Sequence, residues 1–192
     1  LWLEYPDTAP VVSAYFALSQ SLYANKDRVD EDMGTVPLPA GGFRGGMDSR
    51  NTQHAIRNTK QAILKRTADM LSQFLTLYPT HPLADDAAFS LTNVFLDLED
   101  FPTVVRLCQL DQQRYPNSDF LTSFQYVEAL GLFSIQKYNE AIQAATPVAE
   151  SDSTDRDLAR YILGQVYHAQ GKPERAIDWY SRVKSIYPDA GE

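Results

Sequence analysis

Side chains able to do chemistry are few in this chain, and their spacing does not assemble them. The three histidines, His54, His81 and His168, fall in separate segments, with no His-x-x-x-His pair to hold a metal. No Gly-x-Ser-x-Gly or phosphate-loop pattern is present. Asp27, Asp30, Glu31 and Asp32 crowd one stretch, and Asp30-x-Asp32 is spaced like the start of a calcium loop. The glycine of such a loop falls one place early, at Gly34, and its closing Glu is absent. A solvated acidic run is the expectation there. The one cysteine, Cys108, has no partner for an internal disulfide and suits a small buried filler. We expect no catalytic residues, no metal and no cofactor, and not an enzyme.

Charge narrows the partners further. The chain of 192 residues holds 25 acidic and 17 basic side chains, a net charge of −8. A grip on phosphates wants the opposite sign, so nucleic acid is not an expected partner. The glycine-rich stretch 41–46 carries only Arg44, too little for nucleic acid. No apolar run approaches the ~20 residues of a membrane span. The chain opens LWLEYP without an initiating Met and closes on DAGE. It is expected to be a mature form or a piece of a longer array.

The elements that would position any site are amphipathic helices. Four Tyr-Pro pairs punctuate the chain: Tyr5-Pro6, Tyr78-Pro79, Tyr115-Pro116 and Tyr187-Pro188. Proline biases the preceding residue away from helix, so each pair is a helix terminator. Residues 12–24 carry apolar side chains at helical spacing. Residues 25–51, with two Pro and five Gly, keep no period. Helical character returns at about Thr52 and runs to Tyr78.

Residues 157–188 show the fullest pattern. Counting Asp157 as position 1, Leu163 and Gly164 fall at 7 and 8, and Tyr167 at 11. Ala176, Tyr180, Val183 and Pro188 fall at 20, 24, 27 and 32. This resembles the tetratricopeptide repeat (TPR), a 34-residue helix–turn–helix unit with small residues where its helices cross. The resemblance implies an all-α fold, an α-α superhelix of antiparallel helix pairs, over one solenoid of residues 1–192. Residues 1–11 are the tail of a preceding repeat, and 12–84 a repeat interrupted by an insertion around 25–51. Residues 85–121, 122–156 and 157–192 are three further repeats. The third places Ala129 and Ala141 at positions 8 and 20, and leaves Glu128 uncomfortably at apolar position 7.

In the family, the first helix of each pair lines a concave groove through positions 2, 5, 9, 12 and 13. Position 5 is Phe16, Phe89, Tyr126 and Tyr161 in the four repeats. Position 9 gives Gln20, Asn93, Leu130 and Gln165, and position 12 gives Tyr23, Leu96, Phe133 and His168. An aromatic row beside an amide-bearing row suits an apolar helix or an extended peptide. None of the five positions holds Lys or Arg, so a clamp for a carboxylate-terminated tail is not expected. In the insertion, Val36, Leu38, Phe43 and Met47 are apolar residues placed to dock on a partner or on the chain's own groove.

The function expected is a non-catalytic scaffold that binds a peptide or helix of a partner protein in the groove. The Tyr-Pro repeat endings resemble TPR proteins of the bacterial cell envelope, such as the β-barrel assembly lipoprotein and the Tol–Pal-associated coordinator. That resemblance implies the periplasm or cell envelope rather than the cytoplasm. The alternative is a structural subunit of a large assembly, touching neighbours through its ends, convex face and the 25–51 insertion.

Overall fold

The computed structural model describes residues 9–26, 28 and 49–183. The expected docking residues Val36, Leu38, Phe43 and Met47 lie outside the described residues, as do Tyr5-Pro6 and Tyr187-Pro188. Among the described residues there are eight helices and no strands: α1 (Ala9–Ala24), α2 (Ser49–Leu77), α3 (Ala84–Asp97), α4 (Phe101–Arg114), α5 (Leu121–Ser134), α6 (Tyr138–Glu150), α7 (Arg156–Ala169) and α8 (Pro173–Ser181). They form two compact units, residues 1–98 and 99–192. The boundary falls inside the expected 85–121 repeat, which therefore contributes one helix to each unit.

Local chemistry explains most helix ends. α2 stops at Leu77 before Tyr78-Pro79, and α4 stops at Arg114 before Tyr115-Pro116. Asp100 caps α4, its Oδ1 accepting from Thr103 N at 3.2 Å, and Pro102 sits in the first turn where no hydrogen bond is lost. Asp85 and Asp86 complement the N-terminal end of α3, as Asp157 does for α7. Three expected boundaries need correction. α1 begins at Ala9 rather than Val12, because Pro10 lies in the first turn and is compatible with helix there. α2 begins at Ser49 rather than about Thr52. α8 ends at Ser181, well before Pro188, where Arg182 N and Val183 N turn back to Trp179 O and Tyr180 O.

The turns within the pairs share one device. Glu99, Gln136 and Gly171 all have left-handed backbones, with φ of 58°, 61° and 70°. Each is position 15 of its expected repeat. At the second and third, the amide of the next residue reaches back across the turn: Lys137 N to Leu132 O at 2.8 Å and Lys172 N to Tyr167 O at 2.9 Å. Gln136 N and Gly171 N bond to Phe133 O and His168 O, both at 2.9 Å. These paired bonds close the first helix and aim the chain into the second. Only glycine enters this region without a steric penalty, and the chain places glycine at one of the three.

Packing is built on small residues at the crossings. In unit 1, Leu64, Leu71 and Phe74 of α2 and Val94 of α3 are buried; α2 packs on α3, and α1 packs on both. In unit 2, α4 packs on α5, α5 on α6, α6 on α7 and α7 on α8. Its core joins Val105, Ala129, Leu132, Ala141, Ala145, Val148, Ile162, Leu163 and Val166. Positions 8 and 20 are buried throughout: Ser19, Thr92, Ala129 and Gly164, and Thr67, Val104, Ala141 and Ala176. A Cβ added at Gly164 would run into the Tyr180 ring, 2.5 Å from its Cδ1. One at Gly131 would stand 2.9 Å from Val105 Cγ2, so Gly131 faces the preceding helix α4. Arg160 ties the last pair together: its Nε donates to Ala149 O at 3.0 Å, and its Nη1 to Asp157 Oδ1 at 3.0 Å and Arg182 O at 2.9 Å.

Two stability measurements check this scheme. Gln136→Gly relieves a left-handed backbone and is expected to stabilise by about 1 kcal/mol, read as a higher melting temperature. Gly164→Leu is expected to destabilise by roughly 1–3 kcal/mol, because the crossing with Tyr180 has no room for a side chain.

Candidate functional site

The first helices of unit 2 carry six of the eleven groove residues expected from the sequence. α5 and α7 pack directly on each other, each bearing a stripe at helical spacing. On α5 the stripe is Tyr126, Leu130 and Phe133, partly buried against the unit-2 core. On α7 it is Tyr161 and Gln165, half-buried, and His168, exposed. Leu158 on α7, at repeat position 2, is also exposed. The rings are held from behind by the second helices. Phe133 meets Tyr138 with centroids 6.1 Å apart, and Tyr161 meets Tyr180 at 5.6 Å.

Asp155 joins the two stripes. Ser123 Oγ donates to its Oδ2 at 2.6 Å, and Thr122 Oγ1 at 3.3 Å. Asp155 immediately precedes α7, the place of an N-cap, yet its side chain is committed to α5 instead of capping its own helix. It also lies close enough to Tyr126 to matter electrostatically. Burial, then the Asp155 charge, pushes the Tyr126 phenol above its ordinary value, so the ring stays neutral and able to donate a hydrogen bond. Sequence reasoning missed Asp155. The only local signal was an acid ahead of a helix, which ordinarily means a cap.

Unit 1 uses its corresponding residues differently. Gln20 Nε2 donates to Ser90 Oγ at 2.6 Å, joining α1 to α3. The Tyr23 hydroxyl donates to Asp97 Oδ2 at 2.7 Å, and Lys26 Nζ stands 3.2 Å from the same oxygen. Lys26 also lies 3.9 Å from the centre of the Tyr23 ring. Phe16 packs on Phe74 of α2, centroids 5.8 Å apart. Phe89 and Asn93 are half-buried on α3. Gln20, Tyr23 and Phe16 therefore hold the unit together as well as lining its first-helix face.

The charge at position 7 that the sequence made uncomfortable is satisfied. Gln109 and Gln112 of α4 donate to Glu128 Oε1 and Oε2 at 2.8 and 2.7 Å. Below them Cys108 is fully buried, and burial, with Glu128 and Asp111 nearby, drives its thiol far above the ordinary range. A thiol held so firmly protonated is a poor nucleophile. Asp111, 2% exposed, is pushed up to about 6 by burial, with Arg114 pulling the other way from 3.9 Å. Its Oδ2 has no hydrogen-bond partner. Among the described residues, no group of His, Cys, Asp and Glu is placed to hold a metal ion, and no helix is long and apolar enough to cross a membrane.

Residues 126–191 match the Tetratricopeptide repeat family model. That span begins within α5 and takes in α6, α7 and α8. No curated protein matches the chain in sequence. Among solved structures it is similar to a Podosopora anserina protein assigned as a kinesin light chain, with nearly identical TPR-like repeats. The identity is 14%, over 97% of this chain and 100% of that one, with a TM-score of 0.57. A point variant of that protein gives 14% identity over 92% and 94%, with a TM-score of 0.56. The likeness shows the fold, an all-α arrangement of the α-α superhelix class. TPR repeats generally mediate protein–protein contact, so the partners indicated are proteins.

The buried carboxyl sets a pH dependence. Asp111 binds its proton more tightly folded than unfolded, so the folded state holds more protons between pH ~4 and ~6 and loses stability as pH rises through that window. The rise from 3.8 to about 6 corresponds to roughly 3 kcal/mol at pH 7. Asp111→Asn is expected to raise stability at pH 7 and flatten the dependence between pH 4 and 6, measured by denaturant titration across pH.

Proposed function

We propose that the chain is a non-catalytic scaffold that holds a peptide or helix of a partner protein on the first-helix face of unit 2. The observation that carries this reading is the side-by-side packing of α5 and α7. Tyr126, Leu130 and Phe133 stand on one of these helices, and Tyr161, Gln165 and His168 on the other. Each ring is backed by the core or a second helix, so its outer face is presented with little conformational freedom left to lose. Rigid aromatic area with an adjoining amide is what an apolar peptide with a free backbone edge requires. Asp155, with no Lys or Arg at the groove positions, favours a neutral or basic partner over an acidic tail.

Phe16, Gln20, Tyr23, Phe89 and Asn93 give unit 1 a first-helix face of the same composition, which we assign to the same role. The insertion residues Val36, Leu38, Phe43 and Met47 are proposed to add contacts to that partner. The compartment we propose is the bacterial cell envelope, on the resemblance of the Tyr-Pro repeat ends. A second reading, a structural subunit meeting neighbours at its ends, is favoured by Ile177, 67% exposed on the last described helix.

Tyr126→Ala with Tyr161→Ala is expected to weaken affinity capture of the partner while helicity by circular dichroism is unchanged. Loss of helicity instead would make those rings core. Deleting residues 25–51 is expected to reduce the same capture.

A further inference from the structure

Three acids stand at the start of α7, and two of them hold the nearby arginines. Asp152 Oδ1 lies 3.3 Å from Arg156 Nη1. Asp157 Oδ1 lies 3.0 Å from Arg160 Nη1 and 3.7 Å from Arg156 Nε. Arg160 is tied down further by Ala149 O and Arg182 O. Asp155 falls between these two acids in sequence, yet among the described residues no Lys, Arg or His stands within ion-pair distance of it. Its side-chain partners are two neutral hydroxyls, Ser123 Oγ and Thr122 Oγ1, both on Oδ2.

Those hydroxyls fix where the carboxylate sits. Ser123 is repeat position 2 of α5, three residues before Tyr126 at position 5, so Asp155 lies at the end of the α5 stripe. Its charge reaches the Tyr126 phenol. On its own helix, Asp155, Leu158, Tyr161 and Gln165 recur every three or four residues, one side of α7. Leu158 is exposed, and Tyr161 is half-buried. They follow Asp155 by about 4.5 Å and about 9 Å along the helix axis. The stripe therefore begins with a carboxylate and continues with apolar area.

A half-buried carboxylate held by α5 is not free to swing away from what covers the face. The N-terminal dipole of α7 eases its charge without neutralising it. Covering it with apolar surface would desolvate a charge that has no counter-ion, whereas a cation beside it would pair with it. We propose that the α5–α7 face selects a partner segment whose apolar stretch is bordered by one Lys or Arg. The cation seats on Asp155, and the apolar residues lie on Leu158, Tyr126 and Tyr161. The assignment rests on that face being the partner's site and adds the charge of what binds there. The rings supply contact area, and Asp155 supplies the discrimination.

The test uses three labelled peptides that share one stretch of Leu, Phe and Ala and differ in a single bordering residue: Lys, Gln or Glu. In fluorescence anisotropy with the full chain at low salt, the Lys peptide is expected to bind at least about tenfold tighter than the Glu peptide. The Gln peptide is expected to fall between them, and the gap to narrow as salt is added. Asp155→Asn keeps an oxygen for Ser123 and Thr122, so helicity is expected to hold while the three affinities converge. Asp152→Asn removes the same charge from an exposed side chain and is expected to leave the Lys preference intact. Tyr126→Ala with Tyr161→Ala is expected to weaken all three peptides by a similar factor. Equal binding of the three to the native chain, lost in the tyrosine variant, overturns the selection by Asp155 and leaves the face as the partner's site. No binding, or binding indifferent to the tyrosine variant, overturns both. A Lys preference that survives Asp155→Asn, or that Asp152→Asn reduces equally, overturns the role of Asp155 by making the attraction one of net charge.

Discussion

Everything in unit 2 depends on how closely paired helices approach. At Gly164 the α7 backbone lies against the Tyr180 ring with no space for a Cβ. Ala129 and Ala141 leave the same room in the pair before it, both fully buried. That closeness is worth more than the contact itself. It fixes the tilt of each first helix, and so fixes which side chains the next first helix meets. Tyr161 and Tyr180 pack ring to ring because Gly164 lets them. The face we propose for the partner is the side of those helices left over once the crossings are made.

The left-handed residues at Glu99, Gln136 and Gly171 complete the geometry. A turn closed by two backward hydrogen bonds leaves the chain little choice of exit direction. At Gln136 this is imposed on a residue that resists it, at about 1–2 kcal/mol. The packing of the pair supplies that energy, so helix crossing and turn are mutually dependent.

Much of this was legible in the residues, and what was not has physical causes. Tyr78-Pro79 and Tyr115-Pro116 mark helix ends because proline acts on its own neighbour, a local effect that sequence displays directly. Gly164 with Ala176 showed the crossing because both lie at fixed spacing in one repeat. Gln136 gave no sign, since nothing in a glutamine announces a positive φ. Glu128 looked misplaced because its partners, Gln109 and Gln112, are on another helix and contribute only in three dimensions. Asp155 was hidden by having the residue type of a cap while making a tertiary contact. The groove residues were all placed on first helices, but sequence could not say that Gln20 and Tyr23 would bond to α3 while Tyr126 and Phe133 would rest on the core with their outer faces presented.

The central claim is that the α5–α7 face, and not the opposite side of unit 2, receives the partner. Photo-crosslinking in the native cell tests it most directly, with benzoylphenylalanine incorporated in place of Phe133 or, separately, in place of Gln143, which is exposed on α6. The account predicts a discrete polypeptide adduct from position 133 and none from position 143. Adducts from position 143 alone would contradict it.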